Sequence, residues 1–317
     1  MRSDTAMRVA IVGLGNIAQK AYLPVISARR DLELIFCTRD RDTLDRLSET
    51  YRVEEQALEV GDLPGRKVDA AFVHTSTESH LEVAGQLLRN GIHVYLDKPI
   101  AYSFERSQEL VELAERSGRI LMVGFNRRFA PMYKSLSEVG DRRVILMQKN
   151  RPALPDYARR FVFDDFIHVV DTMRFISPGE IKSVRVSSFQ KAGLLYHLLL
   201  HLEGDGFAAA GLMNRDSGAS EEALEVMSPG NKWVVRGLDT TVHYREGGER
   251  TTRFGDWDSV LYRRGFTGIV DHFLHCARHG AAPLYSARDA LDTHSLCERI
   301  VSEAERNGAE AWVPQAS

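Results

Sequence analysis

A short apolar run over residues 7–12 ends in the letters GLGNIA at 13–18, and a helical pattern continues to about residue 29. This order of strand, glycine turn and helix matches G-x-G-x-x-G/A, with Ala18 in the third small position. Gly13 permits the tight turn, Gly15 lets the backbone approach a pyrophosphate, and free N–H groups at the helix start bind the anion. Such a loop can also be purely structural. The cofactor-binding residues predicted here are Gly13, Gly15, Asn16, Ile17 and Ala18.

Strands and helices alternate through the first 124 residues. Apolar runs near 32–37, 69–74, 92–96 and 119–124 are each separated by a helical pattern, which indicates a parallel sheet covered on both faces. After Phe125, hairpin signals such as Gly247-Gly248 join longer β-like runs, as in an antiparallel sheet. The sequence therefore predicts an α/β domain with a doubly wound parallel sheet over 1–124. A second domain with a mainly antiparallel sheet bracketed by helices is predicted over 125–317.

The end of the second predicted strand bears on the choice of dinucleotide. An acidic residue there would hydrogen-bond the ribose 2′-hydroxyl of NAD, whereas a cation and a hydroxyl suit the 2′-phosphate of NADP. Thr38 stands where the acid is expected, and the guanidinium of Arg39 can stack on adenine or bind phosphate. We predict a preference for NADP(H); the alternative is an ordinary charged loop in which Asp40 serves NAD(H).

The charge balance excludes whole classes of partner. With 41 Lys and Arg against 44 Asp and Glu in 317 residues, the formal charge is −3, so no protein-wide field favours nucleic acid or an anionic membrane. No apolar stretch approaches the ~20 residues that cross a bilayer. The three cysteines form no C-x-x-C pair, and residues 1–6 lack the apolar core of a signal peptide. We expect a cytoplasmic protein that binds neither nucleic acid nor membrane.

Four further segments follow in order: FVHTSTESH at 72–80, DKPIA at 97–101, LMVGFNRRFAP at 121–131 and DDFIHVVDT at 164–172. Together they resemble the Gfo/Idh/MocA family of NAD(P)-dependent oxidoreductases, and within it the MviM oxidoreductases, once labelled virulence factors. The resemblance implies that the first domain is an α/β Rossmann domain and the second an α+β domain with an open, mainly antiparallel sheet for substrate binding and oligomerisation, with substrate held between the two. A homo-oligomer, dimer or tetramer, assembled through the C-terminal sheet is expected on the same basis.

The resemblance also implies the catalytic residues Lys98, Asp164 and His168. Lys98 lies at the carboxyl end of a predicted parallel strand, where open α/β sheets bind ligands. Asp164 and His168 are four apart, so on a helix they share a face. We predict His168 as general base, Lys98 as the cation that polarises the substrate oxygen, and Asp164 as the orienting hydrogen-bond partner. Asp97 departs from the family, which usually has Glu there.

Several other residues have a functional and a structural interpretation. Arg127 and Arg128 are compatible with binding of an anionic or polyhydroxylated ligand or with a hinge salt bridge. Asp171 is compatible with a supporting contact to the site or with an exposed or helix-capping carboxylate. His80 lies within reach of the cofactor or simply begins a helix. The cofactor-binding set is completed by Thr38, Arg39, Thr75, Ser76, Thr77, His80, Asp97 and Lys98. The substrate-binding set is Lys98, Asn126, Arg127, Arg128, Asp164, His168 and Asp171.

Two histidine groups fit packing better than metal binding. The string H-x-x-H-C-x-x-H at 272–279 gathers ligands on one helical face, but apolar residues already define a core face for that helix. His197 and His201 lie in a predicted strand, and we interpret them as part of a packed sheet face. No metal is predicted, because a nicotinamide carries the redox chemistry.

The predicted function is hydride transfer between a nicotinamide cofactor and a secondary alcohol or carbonyl of a small polyol, sugar or related hydroxylated substrate. A family member could also reduce a double bond, or return the hydride within one cycle. The alternative outside enzymes is a nicotinamide-nucleotide-binding regulator or redox sensor without turnover. The joint presence of Lys98, Asp164 and His168 favours chemistry, because a sensor needs only the nucleotide-binding half.

Overall fold

A computed structural model describes residues 6–309 and divides the chain into two compact units. Among the described residues, the first unit contains 6–126 and the later segment Phe266–His294, and the second contains Arg127–Gly265 and residues 295–309. The units divide close to the predicted boundary at 124, but no local pattern in the sequence signals the return of a later segment to the first unit. No helix among the described residues is long and apolar enough to cross a membrane.

Fourteen strands and ten helices are described in residues 6–309. The strands are β1 (Met7–Val12), β2 (Leu32–Cys37), β3 (Glu55–Ala57), β4 (Ala70–Val73), β5 (His93–Leu96), β6 (Leu121–Val123), β7 (Val144–Asn150), β8 (Ile181–Lys191), β9 (Leu194–Gly204), β10 (Phe207–Asn214), β11 (Glu221–Ser228), β12 (Asn231–Arg236), β13 (Thr240–Arg245) and β14 (Gly248–Arg253). The helices are α1 (Leu23–Ile26), α2 (Arg41–Tyr51), α3 (His80–Arg89), α4 (Phe104–Ser117), α5 (Pro131–Ser137), α6 (Ala158–Arg160), α7 (Ile167–Ile176), α8 (Val260–Arg263), α9 (Phe266–His279) and α10 (Ala287–Ala309).

The first unit is built on a parallel sheet in the order β3-β2-β1-β4-β5-β6. Its central strand β4 is fully buried, and β1 is buried at every position except Arg8, as their apolar sequences predict. Strand order reverses direction at β1 and β4, so the loops after these two strands flank a crevice at their carboxyl ends. The prediction of a Rossmann domain is confirmed. Strand β3 has only three residues, which is too short for a sequence pattern to predict it.

The returning segment completes the core of the first unit. Helix α9 places Phe273 against Phe72 of β4, with ring centroids 5.0 Å apart, and Phe266 against Tyr22 at 5.3 Å. Its apolar positions lie on one face, which explains why a helix so distant in sequence packs here.

The second unit holds an eight-stranded sheet in the order β14-β13-β12-β11-β7-β10-β9-β8. Strands β7 and β10 run parallel, and the other described neighbours are antiparallel, so the prediction of a mainly antiparallel sheet is confirmed. Helix α7 packs on β10 at Gly211, where an added Cβ would overlap Met173 Sδ and Val169 Cγ1. The absence of a side chain at Gly211 thus sets how closely α7 approaches the sheet.

The opposite face of this sheet is partly exposed. His197 on β9 is exposed and stacks on Phe189 of β8, with ring centroids 5.3 Å apart, while the intervening Leu198 is buried. The predicted packed face for His197 and His201 is therefore wrong, because strand alternation places both on the side away from the core. Leu199, on the same side as both histidines, is 43% exposed.

Both helices that begin at candidate sites contain a π-helical turn. The first, Ala18–Tyr22, precedes α1, and the second, Phe161–Phe166, joins α6 to α7. The helical pattern that continues to about residue 29 ends at Ile26 in the structure. Asp164 and His168 lie within a helix that is continuous from Ala158 to Ile176. Both segments are wound more loosely than a regular α-helix, because a π turn accommodates one extra residue per turn.

Candidate functional site

The glycine loop has the geometry that its sequence predicts. Gly13 has a φ of +85°, and a Cβ there would lie 2.8 Å from the backbone of His74 and Thr75. No atom lies within 4 Å of the corresponding position on Gly15. Ala18 is fully buried at the start of the helix. Gly13 is therefore required by the protein itself, whereas the space beside Gly15 is open to a ligand.

A cleft of about 490 Å³ opens beside this loop, a volume in the range of small-molecule sites. Its walls bring together six of the predicted cofactor residues, namely Gly13, Gly15, Thr38, Arg39, Thr75 and Ser76. Asn16 and Ile17 are exposed at the helix start, outside this lining. Glu59 and Gln86 also line the cleft, and no sequence signal marked them.

The carboxylate of Asp40 is hydrogen-bonded to the first turn of the helix that follows it, α2. Its carboxylate accepts hydrogen bonds from the backbone N–H of Thr43 at 3.2 Å and from Thr43 Oγ1 at 2.8 Å, which caps α2. The bond from the Thr43 hydroxyl, reinforced by the backbone bond, lowers the pKa of Asp40. Thr38 and Arg39 directly follow β2, the position at which the ribose of a dinucleotide is recognised.

Behind the loop, Asp97 is held in a buried hydrogen-bond network. Its carboxylate accepts from His74 Nδ1 at 2.7 Å and from the hydroxyl of Tyr22 at 2.8 Å, and Tyr22 also contacts the hydroxyl of Tyr95 at 2.8 Å. Burial alone would raise the pKa of Asp97, but the contact with His74 outweighs it and the pKa is lowered. The predicted cofactor residue Asp97 is thus engaged within the first unit, and His74 is a site residue that sequence reasoning missed.

Two buried histidines hold the backbone that follows Lys98. His80 Nδ1 lies 2.9 Å from the carbonyl oxygen of Pro99, and its Nε2 lies 3.1 Å from that of Thr75. The Nε2 atom of His294 accepts from the backbone N–H of Ile100 at 2.8 Å. Burial lowers the pKa of His80 despite the opposing bond to Pro99. The alternative that His80 merely begins a helix is therefore incomplete, because its ring joins two loops of the site.

Asp164 and His168 lie on the continuous helix of the second unit. Asp164 belongs to the π turn, His168 to the first turn of α7, and both side chains are partly exposed. Asp164 Oδ2 lies 3.8 Å from Arg160 Nε. The next residue, Asp165, forms an ion pair with buried Lys149 and lies 3.3 Å from Arg151 Nε. A carboxylate and an imidazole on adjacent turns are a donor and acceptor set suited to a hydroxylated ligand.

Arg127, Arg128 and Asp171 form internal ion pairs. Arg127 donates from two nitrogens to Glu222, at 2.6 and 2.7 Å, and Arg128 reaches Asp171 at 2.6 Å. Asp171 is 1% exposed and lies within α7, so the alternative of an exposed or helix-capping carboxylate is wrong. The four side chains belong to the second unit, which favours an internal structural role over a substrate clamp.

The histidines of α9 serve local contacts. His272 Nε2 accepts from the backbone N–H of Leu284 at 2.9 Å, and His275 and His279 pack with ring centroids 4.7 Å apart. Within residues 6–309, no group of three or more potential ligands is placed to hold a metal ion.

Comparison with known proteins agrees with this geometry. The family described as oxidoreductases with an NAD-binding Rossmann fold matches residues 7–125, and a YceM-like C-terminal domain matches residues 131–246. The oxidoreductase YceM of Salmonella typhimurium is 32% identical over 300 residues, covering 93% of this chain and 96% of its own length. The chain belongs to the Gfo/Idh/MocA family of oxidoreductases.

Two further relatives extend over nearly the whole Gfo/Idh/MocA chain. A dehydrogenase of Clostridium difficile named MviM has a crystal structure that is 30% identical with a TM-score of 0.89, covering 93% of this chain and 99% of its own. The myo-inositol 2-dehydrogenase of Thermotoga maritima is 26% identical, covering 89% of this chain and 92% of its own. Both the family prediction and the prediction of an NAD(P)-dependent enzyme are thereby confirmed.

Proposed function

We propose that this oxidoreductase transfers a hydride between NADP(H) and a secondary alcohol or carbonyl of a small polyol or sugar. The observation that carries the proposal is the cleft beside Gly15, whose walls join the glycine loop to Thr38 and Arg39. The similarity to an inositol dehydrogenase supports a hydroxylated substrate. When bound, the nicotinamide supplies the hydride acceptor or donor, so the protein needs only to position and deprotonate the substrate.

The roles of the side chains follow from their chemistry. His168 accepts the proton of the substrate hydroxyl, because a neutral imidazole is a base near physiological pH. Asp164, on the preceding turn, orients the hydroxyl, and Lys98 stabilises negative charge on the substrate oxygen. His80 and His294 fix the backbone directly after Lys98. The contribution of each group is testable by substitution of Lys98 or His168, either of which is expected to abolish turnover.

The preference for NADP(H) rests on Arg39. An exposed guanidinium after β2 can contact a 2′-phosphate, whereas the carboxylate of Asp40 is engaged by Thr43. Titration with NADPH and NADH should show tighter binding of NADPH. Arg39→Ala should remove that difference, while the matched control Arg41→Ala, at a residue within 4.0 Å of Asp45, should keep it. Equal affinity of the wild-type protein for both nucleotides would refute the preference.

The activity itself is tested by the nicotinamide absorbance band. Wild-type protein with NADP+ is presented with inositols, sugars and other polyols, and His168→Asn is the matched inactive variant. Reduction of the cofactor by wild type alone supports an enzyme. Tight nucleotide binding without turnover of any hydroxylated compound, in either direction, would instead favour a regulator or redox sensor.

Assembly through the C-terminal sheet is part of the same proposal. The exposed face of that sheet carries Phe189, Leu199 and Leu146, which are 48%, 43% and 38% exposed. Apolar residues that line one open face are typical of association surfaces. Light scattering at high concentration should show a dimer or tetramer, and Leu199→Glu should shift it towards monomer; a wild-type monomer would refute this assembly.

A further inference from the structure

The second unit contains a group of basic side chains that the proposed hydride transfer does not use. We propose that this basic cluster, formed by Lys149, Arg151 and Arg215, binds an anionic substituent, a carboxylate or phosphate, on the hydroxylated substrate. The inference rests on the proposed function, because it assigns the substrate class of the same enzyme. It predicts an acidic sugar or a sugar phosphate rather than a neutral polyol.

The strand arrangement brings the cluster to one edge of the sheet. β7 and β10 run parallel and in register, with Gln148 opposite Leu212. Arg151 directly follows β7 and Arg215 directly follows β10, and the backbone N–H of Arg151 donates to the carbonyl of Asn214 at 2.8 Å. Carboxyl ends of adjacent parallel strands are where sheets present ligand-binding groups. Arg151 and Arg215 therefore follow neighbouring strands at the same edge of the sheet.

Arg215 retains hydrogen-bonding capacity although it is only 9% exposed. Its Nε and Nη1 atoms have no hydrogen-bond partner within residues 6–309, and Nη1 lies 3.8 Å from Asp156 Oδ2, beyond hydrogen-bonding distance. The guanidinium lies over the ring of Phe161, 5.2 Å from its centroid. Arg127, in the same unit, instead makes two bonds shorter than 2.8 Å to Glu222. Buried donors without partners are costly, so a ligand that accepts from Arg215 would gain binding energy.

Arg151 lies among several charged side chains. Asp165 contacts both Lys149 and Arg151, and Glu222 is a further carboxylate that acts on Arg151. Burial, with added repulsion from Arg127, lowers the pKa of Arg151. The side chain of Arg151 is nevertheless 38% exposed, which keeps it accessible to a ligand. An incoming anion would relieve this repulsion and form charge-assisted bonds.

The cluster also lies beside the proposed reactive groups. Asp165, which contacts two members of the cluster, is the immediate neighbour of Asp164 on the π turn Phe161–Phe166. Asp164 also contributes to the charge environment of Arg215. A substrate anchored by its anionic group would thus present its hydroxyls to the helix that carries Asp164 and His168. Anchoring of this kind converts binding energy into orientation of the reacting carbon.

Matched ligands test the proposal. The probes are D-glucuronate, D-glucose 6-phosphate and D-glucose, extended to other uronates, aldonates and sugar phosphates, each with its neutral parent. Calorimetric titration into the full-length enzyme with NADP+ should show at least one anionic probe binding about 10- to 100-fold more tightly than its neutral parent, as expected for charge-assisted bonds. The carboxylate and phosphate arms identify which anion is preferred.

Substitutions assign the effect to the cluster. Arg215→Gln and, at a more exposed position, Arg151→Gln should each remove the preference for the anion. Arg185→Gln, at an exposed arginine of the same unit that pairs with Glu203, is the matched control and should leave it unchanged. Arg215→Lys, which keeps a charge but loses the planar fork, should retain part of the preference.

The outcomes separate this inference from the proposed function. Anion binding that depends on Arg215 but without cofactor reduction would support the cluster and count against oxidoreduction. Oxidation of neutral polyols, with no anionic probe binding better than its parent, would overturn the cluster alone. Equal effects of Arg215→Gln and Arg185→Gln on anion binding would also overturn it.

Discussion

Substitution of Asp171 by Asn distinguishes a structural role for this residue from a substrate-binding one. Asp171 and Arg128 have side chains that are 2% and 3% exposed, and the Arg128 guanidinium reaches the carboxylate at 2.6 Å. Asn keeps the shape of the side chain but removes its charge, so the buried guanidinium of Arg128 loses the carboxylate that it reaches at 2.6 Å. Breaking a buried pair in this way costs about 3–5 kcal/mol.

The expected loss can be measured in the second unit alone. Tryptophan occurs only at positions 233, 257 and 312, none of which falls in the segments of the first unit. Trp257 is 99% exposed, so its emission changes little on unfolding, whereas Trp233 stacks on His243 with ring centroids 4.5 Å apart. With a urea dependence of about 2 kcal/mol per molar, Asp171→Asn should lower the midpoint of the fluorescence transition by about 1.5–2.5 M.

A double-substituted protein provides the control. Replacing both partners, with Arg128→Met and Asp171→Leu, removes the pair without leaving a buried charge, and should recover most of the stability lost in Asp171→Asn. Dinucleotide affinity should be the same in all three proteins, because the dinucleotide cleft lies in the first unit. A midpoint within 0.3 M of wild type for Asp171→Asn, on the order of 0.5 kcal/mol, would refute the structural assignment. An increased KM at that unchanged stability would restore Asp171 to the substrate site.

Three further predictions concern the glycine loop, a buried carboxylate and a buried imidazole. Gly13→Ala should lower the thermal melting temperature of the first unit, because the added Cβ would lie 2.8 Å from backbone atoms. Gly15→Ala should leave the melting temperature, followed by far-UV circular dichroism, unchanged but should weaken NADPH binding in a titration. The ion pair with Arg127 outweighs burial and lowers the pKa of Glu222 from 4.5 to about 2. The ionised carboxylate therefore contributes about 3 kcal/mol to stability, which is complete above pH 4.5 and is lost as the pH falls towards 2. The difference in urea midpoint between wild type and Glu222→Gln should narrow over that pH interval, and a constant difference would contradict this contribution. His294→Ala should lower the free energy of unfolding of the first unit by about 1–3 kcal/mol, because it leaves the buried N–H of Ile100 without its acceptor. This substitution should reduce kcat more than nucleotide affinity. An unchanged melting temperature would count against the contact.

The sequence predicts those elements of the fold that depend on patterns of consecutive residues. The glycine loop is six consecutive residues at a strand end, and the buried parallel strands are continuous apolar runs, so each could be recognised without knowledge of the rest of the chain. The position of Thr38 at the end of a strand and the hairpin at Gly247 could be predicted for the same reason, because each depends only on neighbouring residues. The family motifs added Lys98, Asp164 and His168, which no spacing rule alone would have selected.

The contacts that sequence did not predict join residues far apart. Arg128 pairs with Asp171 across 43 positions, Arg127 with Glu222 across 95, and His294 reaches Ile100 across 194. A charged residue in a motif looks the same whether its partner is a ligand or a buried carboxylate elsewhere. The sequence around Arg127 and Arg128 is therefore compatible with both substrate binding and a hinge salt bridge, and the fold supplies each arginine with an internal counter-ion.

The two π turns explain a more specific failure of spacing arguments. A side chain's position on a helix face is inferred from 3.6 residues per turn, but a π turn adds a residue and rotates everything after it. Tyr22 closes the π turn Ala18–Tyr22 and reaches Asp97 at 2.8 Å, and Asp164 and Asp165 both lie within the π turn Phe161–Phe166. Because periods fail at these turns, the i, i+4 argument for Asp164 and His168 does not by itself establish a shared face. Their assignment to one substrate depends instead on the coupled loss of turnover in the single variants, compared with the double variant.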